Sequence, residues 1–424
     1  MSRTSMLIAL LPIVASAQTL QAQRADTIVK LAGRPVHAGV ATLVAEISIG
    51  QLEGADEYMF GDVSELAVGT DGSIYVYDRQ VPALRKYDAT GKFVRNIGRK
   101  GQGPGEYLNG GGLALGRDGK VYLWDTGNWR INVYSAAGES VGQLATPSGA
   151  SGSFSLTTQR ALTIDTAGLL YFRKPGFGRM GQPQREQLVR LRSNGTLVDT
   201  IDVPTFDIPQ RTLTATSSNS RTESPIPFSP VAVSALSPHG YFVTGFPNRY
   251  AVDLRIPPAG SPGGWKQGHP VISLRRNMER LPVSNDDREA AKKRVEDQMR
   301  RTDPKWGWGG NEIPKVLPFF TGLRVGADGR VWVPLINEIA RRAGGLSSIG
   351  GASVSNAPRP AGSSTQDKPR PALYDVFESS GTYLGQVQVP ARVSTMVRRG
   401  DYVWGVAFDE NDVASVKRYR IVWR

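Results

Sequence analysis

The sequence has no cysteine and only three histidines, His37, His239 and His269, in 424 residues. The first absence excludes disulfides, thiolate metal sites, a cysteine nucleophile and a lipidated amino-terminal cysteine. The second leaves little material for a histidine-rich metal centre or a histidine-dependent triad. Lys and Arg outnumber Asp and Glu, 51 to 38, for a formal charge of +13, yet no run of five like charges occurs. Basic residues so scattered (Arg95, Arg117, Arg185, Arg275) read as a solvated basic surface, with an anionic envelope surface as a further option and no specific nucleic acid. No apolar run approaches the ~18 residues of a spanning helix. Hydrophobic residues make up 40 % of the chain, which is enough to bury a core.

The longest apolar run, Met6–Val14, is nine residues behind Arg3 and before Ala15-Ser16-Ala17. A positive start, a short apolar run and a small-x-small site define a secretory signal over residues 1–17, cleaved before Gln18. The mature chain is expected to be secreted or periplasmic. A cysteine-free exported protein fits a bacterial periplasm or exterior.

What the chain does contain is a repeat. Residues 66–78 (LAVGTDGSIYVYD) and 113–125 (LALGRDGKVYLWD) agree at seven of thirteen positions with an offset of 47, and 323–333 (LRVGADGRVWV) is a third copy. An alternating apolar strand runs into Asp-Gly, the pair that suits a type I′ hairpin, and a β-branched and aromatic strand follows. A second marker, Tyr87–Gly91, returns as Tyr134–Gly138, and its spacing recurs at Leu191/Gly195 and Phe377/Gly381. Each unit is therefore four antiparallel strands. Radial repetition of such units makes an all-β propeller.

Units fall near 63–98, 111–146, 159–204, 230–275, 317–390 and 393–424, so six blades are expected. The last has three strands of its own. Ala41–Ile49 is expected to supply the fourth and to close the ring, which removes two exposed edges. Residues 18–39 form an amino-terminal extension and 40–424 the propeller, with inserts at 205–229, 257–270, 281–316 and 338–371. One helix is expected near 285–301, capped by Ser284 or Asn285, with acidic residues in its first turn and a narrow stripe of Ala291, Val295 and Met299 laid on the propeller surface.

Asp125-Thr126-Gly127-Asn128-Trp129-Arg130-Ile131, after Val121-Tyr122-Leu123, resembles the NHL repeat, whose blades carry Asp and then Asn-x-Arg-Ile/Val. Ile97–Tyr107 resembles the inter-blade linker of secreted bacterial six-bladed propellers of that type, and Ile49-Gly50 with Glu57-Tyr58 echo it. The resemblance implies a six-bladed fold and no single activity. Gluconolactonase-type propellers hold a metal with carboxylates and asparagine in the central channel, and none of those ligands is carried over to a position here. Peptidylglycine amidating lyases use histidine-ligated zinc, which three scattered histidines do not match.

The glycine-rich stretch Gly98–Gly105 lacks Gly-Lys-Ser/Thr and opens no helix, so it reads as a linker and not a phosphate cradle. Asp409-Glu410-Asn411-Asp412 lacks calcium-loop spacing and reads as a polar hairpin tip. Arg130 reads as a brace between strands, and Tyr75, Tyr77, Tyr122, Trp124, Trp332 and Trp404 read as core. The most suggestive segment is Trp306-Gly307-Trp308-Gly309-Gly310-Asn311-Glu312. Two indoles, an amide and a carboxylate could present stacking faces and polar contacts to a ligand, or the indoles could pack the insert helix down.

The sequence thus favours an exported propeller that binds a protein, peptide or carbohydrate at one face of the ring, as a monomer, with Trp306, Trp308, Asn311 and Glu312 as contacts and no catalytic residue. The alternative is a metal-dependent, gluconolactonase-like hydrolase or lyase with its site in the channel. The expected innermost strands carry Glu65 and little else acidic. The sequence identifies neither cofactor nor metal.

Overall fold

Hairpin turns set the blades. In the computed structural model, which describes residues 27–146, 162–174, 187–204, 212–256, 269, 271–336 and 371–424, the Gly of each Asp-Gly pair has positive φ (+83° at Gly72, +78° at Gly119). The preceding Asp does not. The turns are therefore not the expected type I′. Gly72 N–H donates to Gly69 O and Gly69 N–H to Ser73 O, a type I turn followed by a left-handed glycine. The Asp side chain instead ties the turn to the strand that follows. Asp71 accepts from Ser73 N, as Asp118 does from Lys120 N and Asp328 from Arg330 N. The Tyr87–Gly91 marker builds the same turn, with Asp88 accepting from Thr90 N and Lys92 N.

Six four-stranded blades result. Blade 1 is Val63–Val68, Ile74–Asp78, Ala83–Tyr87 and Phe93–Ile97, and blade 2 is Gly110–Leu115, Val121–Asp125, Arg130–Tyr134 and Ser140–Ala145. Blade 3 runs from Leu162–Ile164 to Leu197–Asp202, and blade 4 from Val233–Leu236 to Val271–Arg275. Blade 5 runs from Arg324–Val325 to Tyr383–Val389. Blade 6 is Val393–Arg399, Tyr402–Phe408 and Ala414–Val422, with Val40–Ile49 as its outer strand. That strand pairs antiparallel with the last one, from Thr42 against Val422 to Ile49 against Val416. Ring closure by the amino-terminal strand is as the three-stranded last unit led one to expect.

The core is a set of six apolar seams, one between each pair of neighbouring blades. Tyr77, Leu84 and Ile97 of blade 1 meet Tyr107, Leu113 and Leu123 of blade 2. Leu66, Val76 and Tyr87 meet Trp404, Val406 and Val416 of blade 6, which completes the circle. The strand aromatics named above are all buried, as expected.

The segment before Val40 adds a feature that the sequence did not show. Thr27–Leu31 pairs in parallel with Val271–Arg275 as a fifth strand on blade 4. Val36 N and His37 N then donate to Tyr383 O and Leu384 O on blade 5, and Val40–Thr42 pairs with Gln386–Gln388. The chain thus runs along the outer rim of blades 4, 5 and 6 in turn. The signal segment 1–17 and most of inserts 257–270 and 338–371 lie outside the described residues.

Candidate ligand-binding face

Strand order decides which loops share an end of the ring. In a four-stranded antiparallel blade, the turn between the second and third strands lies at the same end as the connector to the next blade. Inserts 205–229, 281–316 and 338–371 all attach at that connector end. The strands that flank insert 257–270, the third and fourth of blade 4, open to it at the opposite, Asp-Gly end.

Two inserts fold together. The 205–229 insert contributes a hairpin, Thr212–Thr216 with Arg221–Pro225. The 281–316 insert contributes a helix, α1 (Asn285–Arg300), whose N-cap is Ser284, accepting from Asp287 N. At its base Val283 N donates to Lys315 O and Leu317 N to Leu281 O, so the excursion is closed by an isolated antiparallel bridge between Pro282 and Val316. Ala291, Val295 and Met299 of the helix pack on Leu213, Ala215, Ile226 and Phe228 from the other insert. The apolar stripe therefore faces a second insert. The two make a cap with its own core, joined also by a hydrogen bond between the Thr222 and Thr302 hydroxyls at 2.5 Å.

The four residues singled out from the sequence lie on this cap. Trp306 and Trp308 are half-buried and meet edge to face at 6.2 Å. Both pack on the cap core. Trp306 Nε1 donates to Thr214 O at 2.8 Å, and Trp308 Nε1 to Asn311 O at 2.5 Å. Asn311 Nδ2 returns a bond to Trp308 O, and Glu312 is exposed. The structure brings all four together, with each indole N–H used inside the cap. Trp306→Ala should release the cap by about 2 kcal/mol, from lost packing and one hydrogen bond. Amides of 285–300 should then exchange roughly thirtyfold faster while blade amides stay protected. Unchanged helix exchange would show that the indole does not hold the cap.

The glycine-rich loop is an inter-blade brace. Arg130 donates to Gly103 O and Glu106 O, Tyr134 OH to Gly105 O, and Gly103 N to Glu106 Oε2. Hydrogen bonds from Arg99 and from Gly103 N–H hold the Glu106 carboxyl below the usual range. Asp125 is fully buried and accepts from Leu108, Asn109, Gly127 and Asn128 amides. Asp78 does the same for Gly61, Asp62, Gln80 and Val81, each 47 residues earlier. Trp129 in the same turn is 60 % exposed with φ of 54°, an indole held in a left-handed conformation at the connector end. Its motif reads as framework in the sequence, so its exposure was missed.

Around the channel, the innermost strands carry Glu65 together with Arg324, Arg398 and Arg399. Arg399 donates to Val68 O and Gly69 O of blade 1. Among the described residues, no group of three or more Asp, Glu or His is placed to share a metal ion. In the Asp409–Asp412 tip, Asp409 accepts from Asn411 N and Val413 N within the turn, and Asp412 pairs with Arg392.

A second feature at the connector end has no counterpart in the sequence reading. A hollow of about 420 Å³ lies where blade 4 hands over to blade 5, and Arg249, Arg275, Arg276 and Arg280 line it. Its base is rigid. Asp375 of blade 5 is fully buried and accepts from Tyr250 OH at 2.6 Å, Arg276 Nη1 at 2.6 Å, Tyr383 OH at 2.9 Å and Gln386 Nε2 at 3.1 Å. Burial first, then the Asp375 charge, pushes the Tyr250 hydroxyl well above its ordinary value, which keeps it a donor. Arg276 also lies over the Tyr383 ring at 5.1 Å, and Arg280 over Phe319 at 5.4 Å.

No curated protein matches the chain. Among solved structures it is similar to a putative exported protein from Bacteroides fragilis at 10 % identity, covering 93 % of this chain and 99 % of that one, with a TM-score of 0.45. It is similar to a member of the duf4221 family from Bacteroides vulgatus at 11 % identity, covering 92 % and 100 %, with a TM-score of 0.49. It is also similar to virginiamycin B lyase from Staphylococcus aureus at 10 % identity, covering 85 % and 98 %, with a TM-score of 0.38. At these identities no residue's role passes from one chain to the other. The family model DUF5128, described as a 6-bladed beta-propeller, matches residues 28–177 of this chain, the stretch from the rim strand into blade 3.

Proposed function

We propose that the protein is an exported, NHL-like propeller that binds a ligand or partner at the connector end of the ring without covalent chemistry. The observation that carries this reading is the cap. Two inserts from different connectors share one apolar core at that end, over a framework in which the buried Asp78 and Asp125 carboxylates are spent on backbone amides. A rigid ring presenting variable loops is a common basis for recognition. Trp306, Trp308, Asn311 and Glu312 on the cap, with Trp129 on blade 2, are the contacts this reading assigns.

The test begins with a panel of soluble peptides and oligosaccharides. A member that binds should slow amide exchange in 212–225, 246–250 and 276–319, leave the turns at 69–73 and 116–120 unchanged, and be recovered intact. Protection confined to the Asp-Gly end, or conversion of the bound compound, overturns the reading. Export follows the same logic: protein recovered outside the cytoplasm of a bacterial host should begin at Gln18, and retention of Met1 would contradict cleavage.

A further inference from the structure

We propose that the hollow between blades 4 and 5 is a binding site for a small organic polyanion, gripped through carboxylate or phosphate groups by Arg249, Arg275, Arg276 and Arg280. The inference rests on the reading above that the connector end is the binding face, and it names the ligand chemistry there.

Charge is the first reason. Four arginines line the hollow and no carboxylate does, with the Arg275 guanidinium already donating to Ser273 Oγ. Asp375 lies beneath it, but its two oxygens already take bonds from Tyr250, Tyr383, Gln386 and Arg276. It offsets one cation and leaves three. Glu279 sits in the same connector and is exposed, but it is not part of the lining. Like charges held together in a concave wall raise the local potential and draw anions from solution.

Preorganisation is the second. Arg276 is fixed by Asp375 and the Tyr383 ring, and Arg280 by the Phe319 ring. The backbone beneath them is tied as well: Arg276 N donates to Tyr250 O and Phe319 N to Pro247 O. A guanidinium whose position is already set loses little freedom when it forks onto an oxyanion, and planar two-bond recognition of carboxylate or phosphate is what Arg does better than Lys.

The remaining wall gives the body of the ligand. Leu31, Met278 and Phe319 supply apolar surface, and Asn248 and Asn277 supply both donors and acceptors. A volume of about 420 Å³ suits a metabolite-sized molecule more than a polymer. The ligand is therefore a short carbon skeleton bearing two or more oxyanion groups.

The mature protein is titrated calorimetrically with citrate and, separately, with pyrophosphate, at constant ionic strength set by chloride. At least one should bind saturably, one per chain, with a Kd below about 1 mM. Citrate alone marks a carboxylate ligand, and pyrophosphate alone a phosphate ligand. Arg249→Ala combined with Arg280→Ala should weaken binding at least tenfold, and Arg249→Lys should weaken it severalfold by removing the fork while keeping the charge. Arg117→Ala, on the opposite face, should change nothing. If the double variant melts early, the single charge reversal Arg249→Glu at an exposed turn serves instead, with the same loss expected. Absence of saturable binding by both probes overturns the proposal, as does undiminished binding in the arginine variants. Failure of the arginine site alone leaves the cap reading standing, and failure of the cap reading appears as protection at the Asp-Gly end.

Discussion

A chain that begins at Gly50 should not fold to a stable ring, whereas one that begins at Arg34 should. Both lose amino-terminal strand, but the strands differ in what they bury. Val40–Ile49 completes blade 6, with Ala41 and Ile49 each 1 % exposed, and it pairs over most of its length with Ala414–Val422. Removing it takes Ile49 out of the seam between blades 6 and 1 and Ala41 out of that between blades 5 and 6, exposing the side chains packed against them. It also strips a full ladder of backbone bonds. Burial of such side chains at about 1.5–3 kcal/mol for the largest, with about 1 kcal/mol per net hydrogen bond, sums to several kcal/mol. That is comparable to the whole stability of a typical domain, about 5–15 kcal/mol. Thr27–Leu31, by contrast, is almost wholly exposed and only adds an outer fifth strand to blade 4. Its loss should cost about 1 kcal/mol and lower the melting temperature by a few degrees. Circular dichroism melts of the two truncations decide the matter. Cooperative melting of the Gly50 chain near the full-length temperature would show that the ring does not depend on its latch.

Asp375→Ala should be the most damaging single substitution in the region of the hollow, at about 3–5 kcal/mol. The carboxylate is fully buried and gathers groups from two blades: Tyr250 and Arg276 from blade 4 and its connector, Tyr383 and Gln386 from blade 5. Alanine leaves two buried hydroxyls without an acceptor and a guanidinium without its counter-charge, each of which carries a desolvation cost. Asp375→Asn keeps one acceptor oxygen and the shape, so its loss should be smaller but still above 1 kcal/mol. Breaking an exposed pair, Lys120 with Asp118, by Lys120→Ala should leave the urea midpoint almost unchanged. Urea titration of the three variants side by side provides the measurement, and a loss below 1 kcal/mol for Asp375→Ala would show that the cluster does not join the blades. Because Arg276 is positioned by this carboxylate, Asp375→Ala should also weaken citrate or pyrophosphate binding under conditions where the protein remains folded.

The residues that announced the fold are local and repeated. Offsets of 47 predicted the blades because each turn needs its Asp and its Gly within five residues, and because Asp78 and Asp125 serve amides in the same places. Even a substitution keeps the role: Arg85 donates to Met59 O where Asn132, 47 residues later, donates to Glu106 O. The turn type was misjudged because Asp-Gly suits two hairpin geometries, and only the backbone angle at Asp separates them. The candidate contacts Trp306, Trp308, Asn311 and Glu312 were legible as a cluster because they are close together along the chain. The attachment of Trp306 to Thr214 was not, since 92 residues separate the partners.

By itself the sequence determined the repeating blade, the ring closed by the strand ending at Ile49, the helix near 285–301 with Ser284 or Asn285 as its cap, and the basic balance of the surface. Each of these follows from interactions spanning a few residues, or from a periodicity that any chain with that pattern must satisfy. Only the tertiary structure decided that two inserts share a core, that Thr27–Leu31 joins blade 4, and that four arginines from two loops line one hollow above Asp375. Those depend on which surfaces the ring brings within contact distance, and side chains 99 and 125 residues apart leave no periodic trace of their meeting.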